Sequence, residues 1–241
     1  MLSIIFPAFN EAESLKRYPA EVIPVFDALG CDYEVIIVDD GSQDETAAVA
    51  SALGPRVRLV RHERNRGLGA ALCTGLAAAK GELVVTLDSD LTFSPHLVKI
   101  LLERHAHGDV DVVSGSPKLA GFAPEIPGWR IFVSKSASFV YSVILGQKIT
   151  AVSPILRLYR RSDLAALPLK ATGFDINAEI LFLLVQRGKR IAEVPAPLTQ
   201  RLHGESKLDY SREMRRHVRL IGRMLAWRMG SSKRLGREPA A

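Results

Sequence analysis

Cysteine is nearly absent: Cys31 and Cys73 stand alone in 241 residues, without metal-ligand spacing or the density of a disulfide scaffold. They read as small apolar fillers in a reducing compartment. No run approaches the ~18 uninterrupted apolar residues that a membrane-crossing helix needs, although 47% of the chain is hydrophobic. Met1 leads straight into an apolar segment, so no cleavable leader is expected. Low-complexity tracts and internal repeats are missing, apart from an alternation of strand-like and helix-like segments. The first turn of that alternation, Pro7-Ala8-Phe9-Asn10-Glu11, has no glycine, which excludes the dinucleotide-binding fingerprint. Length and apolar content suit one domain with a sizeable core and a short appendage.

What is present is a set of buried strands that end in polar groups. Leu83-Val84-Val85-Thr86-Leu87 runs into Asp88-Ser89-Asp90, and Tyr33-Glu34-Val35-Ile36-Ile37-Val38 runs into Asp39-Asp40-Gly41-Ser42. The opening strand, Leu2 to Phe6, meets Asn10 and Glu11, and Val57 to Val60 leads through Asn65-Arg66-Gly67-Leu68-Gly69 into an alanine-rich helix over 70–79. The spacing predicts helices over 14–29, from near Glu45 with Ser42 or Asp44 as cap, over 94–108 with Ser94 as cap, and over 175–187. A strand is expected at 110–114, an extended segment at 152–160, and an edge strand over 189–197, where Pro195 and Pro197 cannot donate to a ladder. Alternating strands and helices imply a mostly parallel sheet with right-handed crossovers, an α/β class. Ligands in such sheets bind beyond the carboxyl ends of the strands, where Asn10, Asp39, Asp40, Asp88 and Asp90 fall. Asp88 and Asp90, one residue apart, are either a solvated turn or an oxygen site for a hard divalent cation.

Taken in order, Pro7-Ala8-Phe9-Asn10-Glu11, Val38-Asp39-Asp40-Gly41-Ser42, Asn65-Arg66-Gly67-Leu68-Gly69 and Asp88-Ser89-Asp90 resemble the nucleotide-sugar motifs of the inverting family 2 glycosyltransferases with a GT-A fold. Gly173-Phe174-Asp175-Ile176 and Arg201-Leu202-His203-Gly204-Glu205-Ser206-Lys207-Leu208 are similar to the polyprenyl-phosphate (dolichol-phosphate) mannosyltransferase branch. The resemblance covers residues 1–210, the expected catalytic domain. It implies that Pro7, Ala8, Asn10, Glu11, Asp39, Asp40, Gly67, Asp88, Ser89, Asp90, Arg201 and Lys207 hold the nucleotide sugar. It further implies Mg or Mn on Asp88 and Asp90, and an acceptor phosphate on Lys118, Arg130 and Ser134, with Glu179 nearby. GDP-mannose is the favoured donor by that resemblance, with UDP sugars such as UDP-glucose as the alternative. The favoured acceptor is a polyprenyl phosphate, with a glycan or diacyl lipid as alternatives; a sugar-nucleotide binder without turnover is the non-enzymatic alternative. Two positions depart from the pattern. Thr92 stands where the branch carries Gln, and Ala151-Val152-Ser153-Pro154-Ile155-Leu156-Arg157 retains only Arg157 and a small Ser153 of the usual segment.

The formal net charge of +6 is a C-terminal property, because residues 201–241 carry eleven Lys and Arg against four Asp and Glu. Over 211–230 a helical stripe of Met214, Val218, Ile221 and Leu225 lies among Arg212, Arg215, Arg216, Arg219 and Arg223, with Trp227 beyond. Such a helix either binds an anionic lipid surface or packs its stripe on its own domain. Residues 231–241 read as a disordered tail. The stretch Trp129 to Gly146 is apolar but carries five Ser or Lys side chains among 134–142, so it is either a core helix or an acceptor-side element, and 120–128 reads as a loop over the site. No nucleic-acid motif accompanies the basic stretch, so nucleic acid is not an expected partner. The expected location is cytoplasmic, peripheral on the cytosolic face of a membrane.

Overall fold

The computed structural model describes residues 1–121, 128–165, 167–199 and 210–235, with side chains described outside 128–134, 210–211 and 229–235. Its centre is a seven-stranded sheet built from β1 (Leu2–Ala8), β2 (Tyr33–Asp39), β3 (Val57–Arg61), β4 (Leu83–Thr86), β5 (Val112–Ser116), β6 (Arg157–Arg160) and β7 (Ile191–Pro195), in the order β3-β2-β1-β4-β6-β5-β7. All pairings are parallel except those of β6, which runs antiparallel between β4 and β5. The helices are α1 (Ala12–Leu15), α2 (Tyr18–Glu21), α3 (Ile23–Asp27), α4 (Thr46–Ser51), α5 (Leu68–Ala78), α6 (Leu97–Ala106), α7 (Pro117–Ala120), α8 (Gly128–Leu145), α9 (Arg161–Leu164), α10 (Ile176–Gln186) and α11 (Tyr210–Leu235).

Helices cover both faces, so the inner strands are apolar on both sides, as a parallel sheet requires. Alternate residues feed two cores. Ile4, Phe6, Val35, Ile37, Val85 and Leu158 pack on one face with Leu15, Tyr18, Phe26 and Leu101. Ile5, Ile36, Val38, Val84 and Tyr159 pack on the other with Leu72, Tyr141, Ile180, Leu220 and Met224. Each such side chain contributes about 1.5–3 kcal/mol by leaving water. β7 lies at the sheet edge, as Pro195 at its end predicts.

Local boundaries differ from the sequence reading at several points. The single helix expected over 14–29 is three short pieces, because Pro19 and Pro24 each sit at the first or second position of a new turn. The helix after Ser94 starts at Leu97; Ser94 and Pro95 form the turn before it, with their carbonyls accepting from Leu97 and Val98. The strand expected at 110–114 is Val112–Ser116, and only Arg157–Arg160 of the extended segment joins the sheet. The C-terminal helix continues to Leu235, past the expected end at 230.

Candidate active site

β1, β2 and β4 deliver their last residues to one edge, where a cavity of about 700 Å³ is bounded by Pro7, Ala8, Glu11, Asp40, Gly67, Asp88, Ser89 and Asp90. Eight predicted site residues therefore meet. Asn10 and Asp39 do not line the cavity; they brace it. Asn10, in a left-handed turn (φ 53°), accepts the Gln43 N–H at 2.8 Å on its side chain and donates its own N–H to Ser42 Oγ at 2.8 Å. Asp39 is fully buried, accepts the Ser42 N–H at 2.8 Å, and has its other oxygen 3.0 Å from Arg61 Nε in an ion pair rather than a hydrogen bond. Ser42 is thus spent on the first motif, while Asp44 accepts from the N–H groups of Thr46 and Ala12.

Asp40 is buried and fully engaged. Its two oxygens accept the backbone N–H of Arg66 at 2.9 Å and of Gly67 at 2.8 Å, and His62 Nδ1 lies 2.6 Å away. The other ring nitrogen of His62 faces Thr74 Oγ1 at 2.9 Å. Gly67 adopts φ 90°, and a side chain there would strike the Thr172 carbonyl, so glycine is required on both counts. Gly69 donates its N–H to that same carbonyl at 3.0 Å. The Asn-Arg-Gly-Leu-Gly motif is in this way a docking point for the loop at 171–175, tied to Asp40 from below.

The aspartate pair sits just beyond β4. Thr92 Oγ1 donates to Asp88 Oδ2 at 3.0 Å, and the Thr92 N–H donates to Asp90 Oδ1 at 2.9 Å. Leu91 between them has φ 60°, a strained conformation for a branched side chain at a turn into a site. Buried Tyr18 donates to the Ser89 carbonyl at 3.2 Å. Burial first, then the neighbouring Asp90 charge, push the Asp88 carboxyl up to about 7. An oxygen-only donor set with two mutually repelling carboxylates fits a hard divalent cation. Among the described residues no three His, Cys, Asp or Glu form a ready-made cage.

The remaining predicted residues lie elsewhere. Lys118 lines a separate cavity of about 830 Å³ with Lys135, Ser138, Phe139 and Thr150; it donates to Ser138 Oγ, and burial lowers its pKa. Arg130 and Ser134 are on the backbone of α8, but their side chains lie outside the described residues, as do Arg201 and Lys207 entirely. Glu179 accepts the N–H groups of Lys170 and Ala171 at 2.8 and 2.7 Å, holding the start of the 171–175 loop. The altered segment before β6 is fastened by Arg157, fully buried, whose guanidinium donates to the carbonyls of Val152 and Asn177.

Gly173 and Phe174, flagged in the sequence only as part of a motif, line the Asp88–Asp90 cavity; sequence reasoning missed His62, Thr92 as a clip, and Arg212, Glu213 and Arg216, which line it too. The signal for the last three was a second apolar row on α11. Leu220 and Met224 are buried, whereas Met214, Val218 and Leu225 of the predicted stripe face outward and Ile221 is half-buried. The helix therefore packs on its own domain through a row other than the predicted stripe, and leaves Met214, Val218 and Leu225 of that stripe exposed. No helix among the described residues is long and apolar enough to cross a membrane.

Comparison with known proteins follows the same lines. The family model of glycosyl transferase family 2 matches residues 3–167. A dolichol-phosphate mannosyltransferase of Pyrococcus furiosus is 30% identical over 233 residues, 94% of this chain and 64% of that protein. An undecaprenyl-phosphate 4-deoxy-4-formamido-L-arabinose transferase of Edwardsiella ictaluri is 31% identical over 211 residues, 86% of this chain and 62% of the other. The chain thus spans a little under two thirds of the curated relatives it matches. Among solved structures, glucosyl-3-phosphoglycerate synthase of Mycobacterium tuberculosis, in complex with Mn2+, UDP and glucosyl-3-phosphoglycerate, superposes with a TM-score of 0.71 at 25% identity, over 95% of this chain and 80% of that one.

Proposed function

Because the chain belongs to glycosyl transferase family 2, matched over residues 3–167, we propose that it transfers a hexose, mannose by preference, from a nucleotide-diphosphate sugar to a polyprenyl phosphate with inversion. One observation carries this reading. Asp40, Gly67, Asp88 and Asp90 reach a single cavity at the carboxyl edge of the sheet, and the relatives of similar sequence are named for polyprenyl-phosphate transfer.

The residues divide the work. Asp40, itself engaged by His62, holds the Asn65–Gly67 turn, which presents a polar rim suited to the nucleoside. Asp88 and Asp90 would hold Mg or Mn, which when bound neutralises charge on the departing diphosphate. Thr92 holds one oxygen of each carboxylate. Arg201 and Lys207 are assigned to the same phosphates, and Lys118, Arg130 and Ser134 to the acceptor. A phosphate monoester has a second pKa near ~6 and is largely dianionic at neutral pH, so it attacks without a strong general base. Positioning and charge neutralisation then supply most of the rate.

The acceptor is lipid, so the protein works at a membrane surface, on the cytosolic face in this reading. Phe139 and Val143 on α8 and Met214, Val218 and Leu225 on α11 are exposed apolar side chains on two helices joined by the Tyr141–His217 contact. A UDP-glucose donor is the second reading, favoured by the UDP held in the superposed structure.

The test incubates the protein with radiolabelled GDP-mannose or UDP-glucose, Mn2+ and polyprenyl phosphate, then extracts lipid. Label in the lipid phase that disappears with chelator or with Asp90→Ala supports the reading; transfer that persists in both sinks the metal site. Arg130→Ala should raise the acceptor requirement and spare donor affinity, and the reverse pattern removes Arg130 from the acceptor.

A further inference from the structure

The C-terminal helix reaches the catalytic cavity. Arg212, Glu213 and Arg216 line the same space as Asp88 and Asp90, a role that neither sequence reading of α11 included. Arg216 is held on two sides. Its Nη1 lies 2.5 Å from Glu213 Oε1, one turn earlier. Its guanidinium also packs on Gly173 so closely that a Cβ on that residue would overlap it. Glu213 is fixed in turn, because its second oxygen accepts the Phe174 N–H at 3.0 Å.

This corner is anchored from behind. Arg223 lies 3.3 Å from Glu179, Tyr141 and His217 are hydrogen-bonded at 2.6 Å, and Leu220 and Met224 are in the core. A side chain held in this way loses little freedom when a ligand arrives. The cavity wall carries the carboxylates of Glu11, Asp40, Asp88, Asp90 and Glu213 against the cations of Arg66, Arg212 and Arg216. A guanidinium has five donors in a planar fork that matches phosphoryl oxygens, and Glu213 takes one of them. Glu213 itself is already satisfied by Phe174 and Arg216, so its charge is partly spent.

We propose that Arg216, oriented by Glu213 and seconded by Arg212, is a phosphate-binding residue of the cavity, contributed by the C-terminal helix. This rests on the glycosyl-transfer reading and deepens it. The chemistry recognised is a phosphoryl group, from either the donor diphosphate or the acceptor phosphate.

The experiment uses the full chain and measures direct binding, so it does not depend on turnover. The probes are UDP with Mn2+, GDP with Mn2+, and a short-chain polyprenyl phosphate in detergent. Arg216→Ala should weaken at least one of them about tenfold or more, in line with losing a charge-assisted hydrogen bond. Arg216→Lys should lose less, and Arg219→Ala, on the exposed face, should bind as the wild type does. A loss confined to the nucleotides assigns the donor diphosphate; a loss confined to the lipid assigns the acceptor. Unchanged binding of all probes by a folded Arg216→Ala overturns the proposal, as does an equal loss in Arg219→Ala. Should the alanine variant fail to fold, Arg216→Gln keeps a donor toward Glu213 while removing the cation, and its unchanged binding overturns the proposal equally. A wild type that binds none of the probes overturns it too. Binding without any sugar transfer to lipid would instead sink the transfer reading and leave this comparison standing.

Discussion

Thr92 donates its hydroxyl to Asp88 Oδ2 at 3.0 Å while its backbone N–H reaches Asp90 Oδ1 at 2.9 Å, so a single residue orients both members of the pair. Only the hydroxyl bond depends on the threonine side chain; the N–H bond to Asp90 belongs to the backbone. Thr92→Val keeps the shape and removes the hydroxyl. It should weaken Mn2+ binding roughly fivefold, the worth of about 1 kcal/mol, whereas Thr92→Ser should stay near wild type. Titration calorimetry with Mn2+ alone checks this, and equal affinity in all three would remove Thr92 from the site.

The Asp88 carboxyl, pushed up to about 7 by burial and by Asp90, sets a pH dependence. Below that value the group carries a proton that a cation must displace. Mn2+ affinity should therefore climb between pH 6 and 7 by up to tenfold per unit, then level off, with proton release on binding at the acid end. In the metal-free protein the sign for stability is the opposite. The folded state holds the proton more tightly than the unfolded chain, so stability falls as pH rises from about 4 towards 7. A flat Mn2+ profile across this range would contradict the assignment, and Asp88→Asn should abolish the slope.

His217 supplies a second pH effect, in the opposite direction. Burial lowers its pKa, and its ring meets Tyr141 on α8. A depressed histidine is neutral when docked, so the undocked state takes up the proton first. Docking of α11 should be fully stable above about pH 6.5 and weaken as pH falls through the folded-state value. Hydrogen exchange of the α11 amides at pH 7.5 and 5.5, compared with the intrinsic rate at each pH, tests this: lower protection at the lower pH, with the difference suppressed in His217→Gln, is the expected outcome.

Much of the site was legible because its parts are local. A strand buried on both faces seldom carries an acidic group before its end, so Asp39, Asp40, Asp88 and Asp90 announce the sheet edge in the sequence alone. The breaks at Pro19 and Pro24 were missed, although the rule that rightly placed Pro195 on an edge, a ring that cannot donate, applies to them as well. What sequence could not supply was contact between distant segments. Gly69 meeting Thr172, Glu213 meeting Phe174, and Arg216 resting on Gly173 depend on how α11 and the 171–175 loop pack, and no local period encodes that. The predicted stripe on α11 was real, yet the row that packs is the neighbouring one through Leu220 and Met224.

That two-faced helix alters how membrane association should be probed. Truncation before Ser211 would strip Leu220 and Met224 from the core and confound folding with binding. Replacing the outward residues Met214, Val218 and Leu225 by serine leaves the packed row intact. The triple variant should keep its thermal midpoint within a few degrees and lose most sedimentation with anionic liposomes. Wild-type binding should fall with added salt, since screening shortens to ~3 Å at 1 M. Undiminished binding by the triple variant would confine α11 to its structural and cavity roles.

The antiparallel strand between β4 and β5 also orders events during synthesis. Residues 1–86 already contain β3, β2, β1 and β4 in their final neighbour relations. The free edge of β4, however, has no partner until Arg157–Arg160 has been made. At ribosomal rates of ~5–20 residues per second, that edge waits on the order of several seconds. An unpaired apolar strand edge is a template for other chains. The nascent protein therefore passes through a half-sheet that needs shielding, and slow translation between β4 and β6 should lower its soluble yield more than slow translation anywhere after β6.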